Sequence, residues 1–179
     1  MRSVLRVLFN SDFFKAAQFT KIKNPTEVVV GTLRLVGDAA LPTPNSFDWS
    51  NQIMYMGQEL LNPPSVEGWH YGAEWVTSGS LIARTNFVVE MLGETDRPGV
   101  RSIIDRVRSG AATPEALVDT CIDLLGPIDV SVNGRDELLG HAATDGDLSW
   151  ADADASAESE RRVAEMLQLI ASTREYMFV

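Results

Sequence analysis

Asn24-Pro25-Thr26-Glu27-Val28-Val29-Val30-Gly31-Thr32-Leu33-Arg34-Leu35-Val36-Gly37 carries a start signal, a helical repeat and a stop signal within fourteen residues. The Asn24 side chain can accept from the unpaired N–H groups of a first helical turn, and Pro25 stands where a missing N–H costs nothing. Val29, Thr32, Leu33 and Val36 follow at helical offsets, and Gly37 ends the run. The same arrangement of cap, apolar stripe and breaker recurs along the chain. No strand-period alternation is long enough to compete, so the fold class is all-α.

Toward the N-terminus, the spacing predicts a helix over about Ser3–Lys15, with Val4, Val7 and Leu8 on one face. Phe13 and Phe14 close it before the basic residues Lys21 and Lys23, and these aromatics need a partner surface. Asn10, Ser11 and Asp12 interrupt the apolar character, and no small-residue cleavage site follows, so the segment reads as a helix and not as a signal peptide.

Toward the C-terminus, a Pro- and Asn-rich loop, Leu41–Asn45, leads to Ser46 as a cap. Trp49, Ile53, Met56 and Leu60 then form a stripe that Asn62, Pro63 and Pro64 terminate. Pro63–Gly79 breaks the pattern, with two tryptophans, a histidine, a tyrosine and three glycines without clean periodicity. A helix over about Ser78–Leu92 is expected to bury Leu81, Thr85, Val88 and Leu92. The next begins near Pro98 with Val100, Ile103, Ile104 and Val107 inward. Thr113 caps a further one, with Pro114 at its first position, Val118, Cys121, Ile122 and Leu125 inward, and Gly126 and Pro127 as the stop. A short helix around Arg135–Ala143 and an acidic turn, Asp145–Asp154, precede a last helix carrying Val163, Met166, Leu167 and Ile170. No repeat or internal boundary divides the chain. The expectation is one domain over residues 1–179, an irregular bundle of about seven or eight helices.

The chain has 25 acidic and 15 basic residues and a net charge of −10. Such a field repels phosphate backbones and anionic lipid surfaces, so nucleic acid is not an expected partner. No run approaches the roughly 20 apolar residues that span a bilayer. With 45% hydrophobic residues the chain is long enough to bury a core, and a soluble globular protein is expected. One cysteine, Cys121, excludes an internal disulfide and a multi-cysteine zinc site but leaves the compartment open.

Several stretches together carry a family resemblance. They are Lys23-Asn24-Pro25-Thr26-Glu27 with Thr32-Leu33-Arg34, then Met56-Gly57-Gln58 and Asn62-Pro63-Pro64-Ser65-Val66-Glu67-Gly68-Trp69. Gly72, Trp75, Ala83-Arg84 and Asn86-Phe87 follow, and Met166-Leu167-Gln168-Leu169-Ile170 with Arg174-Glu175-Tyr176 closes the series. On these residues the chain resembles the C-terminal part of a large bacterial family, domain of unknown function 1800. Members are typically much longer, with a helical N-terminal region. The resemblance therefore implies a truncated product, a fragment or a separate reading frame, with an exposed apolar face on the first helices. It transfers no catalytic residues. His70 and Tyr71 stand where many members have Pro and Gly, so the histidine is not carried over as a family-wide functional residue.

The candidate site is the Pro63–Trp75 loop. Trp69, Tyr71 and Trp75 offer flat apolar faces beside Glu67, His70 and Glu74, as a carbohydrate or peptide platform would. The plainer reading has both tryptophans plugging the core. Glu67 and Glu74 are the paired carboxylates that glycoside hydrolysis needs, though an irregular loop fixes no distance between them. His70 suits acid–base or metal chemistry, yet no second histidine lies near it and His141 is far along the chain. Cys121 sits in an apolar stripe and reads as an inert core thiol. Asp145, Asp147, Asp152 and Asp154 lack the order of a calcium loop and read as turn and cap residues. Arg84, inside an apolar helix, is expected to clamp Glu67 or Glu74. No metal or cofactor is expected.

With no complete catalytic constellation, the first functional reading is a non-catalytic interaction or assembly module. Its partner is another protein or the N-terminal region that the longer relatives possess, with a homo-oligomer as a further possibility. The alternative is part of a hydrolase-like enzyme acting on cell-surface polymer through Pro63–Trp75. An enzyme site would gather Glu67, His70, Glu74 or Arg84 around an open cleft, whereas a structural loop would bury its tryptophans against the third and fourth helices.

Overall fold

Side-chain caps set where the helices begin. The computed structural model describes residues 1–38, 46–110 and 112–178, the side chains of Ser46 and Phe47 excepted. The expected Leu41–Asn45 loop and the Ser46 side-chain cap lie outside the described residues. Asn24 Oδ1 accepts from the Glu27 N–H at 2.9 Å while Glu27 Oε2 accepts from the Asn24 N–H at 2.8 Å, a reciprocal cap that opens α3 (Pro25–Leu35). Thr113 and Pro114 open α7 (Pro114–Leu125), and Asp152 caps α9 (Ala153–Ala171), both as expected. Ser131 adds a cap three residues earlier than anticipated, so α8 is Val132–Thr144.

Nine α-helices and no strand occur among the described residues, confirming the all-α class. The extra helix comes from the N-terminus. Ser11 adopts an extended conformation and its Oγ accepts from the Phe14 N–H, dividing the single expected helix into α1 (Arg2–Asn10) and α2 (Asp12–Ala16).

Two further expectations are corrected. The helix that begins at Ser46, α4 (Ser46–Tyr55), stops well before the prolines, because Gly57 takes φ +101°, a left-handed stop. Met56 is still buried, whereas Leu60 is exposed. In α5 (Ser78–Gly93) the buried stripe is Ser80, Arg84, Phe87, Val88, Met91 and Leu92. Leu81 faces outward and Thr85 is half-buried. Phe87 and Met91, bulkier than Leu81 and Thr85, turn the helix toward the core, and Arg84 is carried in with them.

At the centre lies α9, packed on α5, α6 (Pro98–Gly110), α7 and α8. Its Val163, Met166, Leu167 and Ile170 are buried in one continuous apolar cluster with Val29 and Leu33 of α3, Val88 and Leu92 of α5, Ile104 of α6 and Val118 of α7. Burying each such side chain contributes about 1.5–3 kcal/mol. Gly99 lets α6 approach α3: its N–H donates to the Val36 carbonyl at 3.0 Å, and a Cβ there would overlap the Leu35 carbonyl oxygen. The C-terminal segment returns to the start of α3, where Ile22 pairs with Phe178 and the Lys23 N–H donates to the Met177 carbonyl at 2.9 Å.

Candidate functional site

The loop between α4 and α5 is held at both ends. At its start Gln58, buried, accepts through Oε1 from the Thr26 N–H at 3.0 Å and from Thr26 Oγ1 at 2.8 Å. At its end Ser80 donates to the Trp75 carbonyl at 2.8 Å, within the Thr77–Ser80 cap that opens α5. Gln58 was legible only as part of the Met56-Gly57-Gln58 motif. What a lone motif could not reveal is that its amide reaches across to the first turn of α3.

Between these anchors the aromatic residues separate. Trp75, on a 3-10 turn over Gly72–Trp75, is 5% exposed and belongs to the interior. Trp69 is half-buried, and its indole N–H donates to the Glu59 carbonyl at 3.1 Å, closing the loop on itself. Tyr71 is 81% exposed. A single aromatic platform is therefore not formed: one ring is in the core, one is tethered at the surface and one projects into solvent.

The polar candidates separate too. His70 Nδ1 lies 3.2 Å from Glu74 Oε2, and the His70 ring meets the edge of Trp75 with 6.2 Å between centroids. Glu67 is exposed, and its backbone N–H donates to Ser65 Oγ in a tight turn with Gly68 at φ +103°. A cleft of about 450 Å³ opens beside the loop, lined by Met54, Glu59, Pro63, Pro64, Trp69 and His70 among others. Of the seven candidate residues, Trp69 and His70 line it.

Arg84 takes a different place from the one expected. It is fully buried, and its Nη1 donates to the Lys23 carbonyl at 2.7 Å, with neither Glu67 nor Glu74 in reach. Its Nε and Nη2 have no partner among the described residues. Desolvation without a carboxylate holds its pKa below the ordinary guanidinium value. Lys23 shares this environment. Its Nζ donates to the Tyr176 carbonyl at 2.6 Å and sits 4.1 Å above the Tyr176 ring, and burial, only partly offset by the Glu27 charge, lowers its pKa. Arg84 and Lys23 therefore pin α3, α5 and the C-terminal segment together through backbone carbonyls.

The remaining candidates take structural positions. Cys121 is fully buried, and desolvation pushes its thiol up to about 12, which leaves no thiolate at neutral pH. Asp152 caps α9, and the carbonyls of Asp145, Gly146 and Asp147 receive Arg162. No group of three or more His, Cys, Asp or Glu that could hold a metal occurs among the described residues.

The least satisfied surface lies elsewhere, on the N-terminal arm formed by α1 and α2. No residue of either helix is buried. Val4, Val7, Phe9 and Phe13 are each more than half exposed, and the Phe9 ring meets that of Phe14, in the same arm, at a tilt of 58° with 5.1 Å between centroids. Val4, Val7, Leu8 and Phe13 line a shallow concavity of about 550 Å³. The sequence had announced this need for a partner, and among the described residues no other part of the chain buries the arm.

A family profile described as "Protein of unknown function (DUF1800)" matches residues 1–178. No curated protein and no solved structure matches the chain.

Proposed function

The chain belongs to the DUF1800 family, whose description assigns no activity, and from that premise we propose that it is an interaction or assembly module that engages another protein surface through its α1–α2 arm. The observation that carries this reading is the arm's solvent-facing apolar stripe. Val4, Val7, Leu8 and Phe13 lie on one side of two helices of which no residue is buried. An amphipathic helix gains stability in water by covering such a stripe, and a contiguous exposed apolar patch of this kind marks interaction surfaces. The loop residues Glu67, Trp69, His70, Tyr71, Glu74 and Trp75, with Arg84, are secondary to this reading. They are spread between core, cleft and solvent.

Multi-angle light scattering over a wide concentration range tests it. The wild type is expected to show mass above that of one chain, and Phe13→Glu, which changes a side chain 72% exposed, is expected to restore the single-chain mass. A wild type that stays monomeric at high concentration overturns the reading.

A further inference from the structure

Three stretches that stand apart in the sequence, Lys23–Glu27, Thr32–Arg34 and Arg174–Tyr176, meet at one cleft of about 400 Å³. It runs along α3 and is lined by Lys23, Glu27, Thr32, Arg34 and Tyr176, with Val28, Leu35 and Leu125 as apolar wall. Among the described residues none of α1 or α2 lines it. Glu27, Gly31 and Arg34 fall on one face of the helix, and Gly31 leaves the middle of the cleft open. A Cβ there would meet no atom of the described residues within 4 Å. A helical side chain covers the turn before its own Cα, so Arg34 leans back over Gly31 toward Lys23.

The charges on this wall do not cancel. Glu27 is the one carboxylate among the described lining residues, and both its oxygens are taken, Oε1 by Lys21 Nζ and Oε2 by the Asn24 N–H at 2.8 Å. Lys23 spends one of its three donors on the Tyr176 carbonyl. Burial works against its ammonium, which an anion beside it would favour. Arg34 is exposed, and among the described residues no ion pair engages it. Behind Lys23, the fully buried Arg84 donates to the Lys23 carbonyl, with Nε and Nη2 unpartnered among the described residues. A buried charge is ordinarily held by a counter-charge. Walls of one uncompensated sign focus the field of a cleft on a ligand of the other. The chain's net charge of −10 disfavours a polyanion, but charges farther than about 8 Å are screened at physiological salt, so it leaves a small anion free to enter.

We propose that the α3 cleft binds a small oxyanion ligand, a carboxylate or phosphate head on a compact apolar body. Lys23 and Arg34 take the head, and Val28, Leu35 and Leu125 take the body. The volume of the cleft falls in the range of small-molecule sites, about 300–1,000 Å³. Arg84 touches no ligand in this arrangement. It holds the Lys23 backbone in place and adds its charge from behind.

Isothermal titration calorimetry of the full chain against phenyl phosphate and benzoate tests the site, with phenol as the neutral control and the unfolding midpoint as a second readout. Saturable binding of at least one of the two anions is expected, with a rise in midpoint and a loss of affinity as salt increases. The stronger of the two identifies the head. Arg34→Gln keeps a polar side chain at an exposed position and removes the charge, and it is expected to weaken binding at least about tenfold. Gly31→Leu fills the middle of the cleft. Its midpoint without ligand is expected to match or exceed that of the wild type, because leucine is the better helix former at an exposed position, while binding is lost. Binding that either substitution leaves unchanged overturns the site, as does phenol binding as tightly as the anions. Neither heat nor a midpoint rise with both anions overturns it as well.

Discussion

At the scale of single residues, two buried arginines show how differently one side chain can be accommodated. Arg162 on α9 donates to the carbonyls of Ala142, Asp145, Gly146 and Asp147 at 2.7–3.4 Å, so its guanidinium is enclosed by acceptors. Arg84 on α5 meets one carbonyl, and among the described residues its Nε and Nη2 find no acceptor. An unpaired buried cation contributes little net stability, because desolvation offsets what its hydrogen bond returns. Arg84→Met keeps the length of the side chain and removes the charge. It is expected to hold stability within about 1.5 kcal/mol of the wild type, whereas Arg84→Ala leaves a cavity and is expected to lose about 2–5 kcal/mol. Urea denaturation of the three proteins measures both differences. A Met variant as destabilised as the Ala variant would mean that the charge of Arg84, and not its volume, supports the fold. That an arginine in this helix would need acceptors was legible from its apolar neighbours. Its acceptor was not, because Lys23 lies 61 residues away and offers a backbone carbonyl, which no side-chain pattern announces.

At the scale of elements, the first turn of α3 concentrates charge around one carboxylate. Burial alone would raise the Glu27 pKa. The hydrogen bond from Lys21, the Asn24 N–H and the charges of Lys21 and Lys23 together outweigh it, and the carboxyl is held below its ordinary 4.5. A carboxylate that binds its proton less readily when folded than when unfolded stabilises the fold above about pH 4.5 and loses that contribution as pH falls through the lowered value. The side chain is 38% exposed, so solvent screening reduces the effect. Glu27→Gln retains an acceptor for the Asn24 N–H and removes the titration. The gap in thermal midpoint between wild type and variant is expected to shrink from pH 7 toward pH 3, and a constant gap would detach the titration from the cap. Starts of this kind were readable because a cap and its acceptors lie within four residues, as at Asn24, Thr113 and Asp152. The stop at Gly57 and the phase of α5 were not, since a glycine looks the same inside and outside a helix. Likewise, whether Leu81 or Arg84 faces inward is decided by α3, α9 and the C-terminal segment. The Pro63–Trp75 loop suffered most from this. Its aromatic content was plain, but the burial of Trp75 and the tether of Trp69 depend on contacts that periodicity does not encode.

At the scale of the whole molecule, the proposed association would couple to stability through the arm. The core runs through α3 to α9, while α1 and α2 bury no residue. A chain lacking residues 1–16 is therefore expected to keep the unfolding free energy of the isolated protomer within about 0.5 kcal/mol, the range of surface changes. Self-association through the arm, as proposed, would add stability by mass action, since a partner that binds only folded chains raises the midpoint as concentration rises. Differential scanning calorimetry from dilute to concentrated protein separates the two contributions. The wild-type midpoint is expected to climb with concentration, that of the shortened chain to stay flat, and the two to converge on dilution. Should the shortened chain unfold well below the dilute limit of the wild type, the arm would be packed on its own body in solution. Its exposed stripe would then be part of the fold of one protomer and not a surface for another.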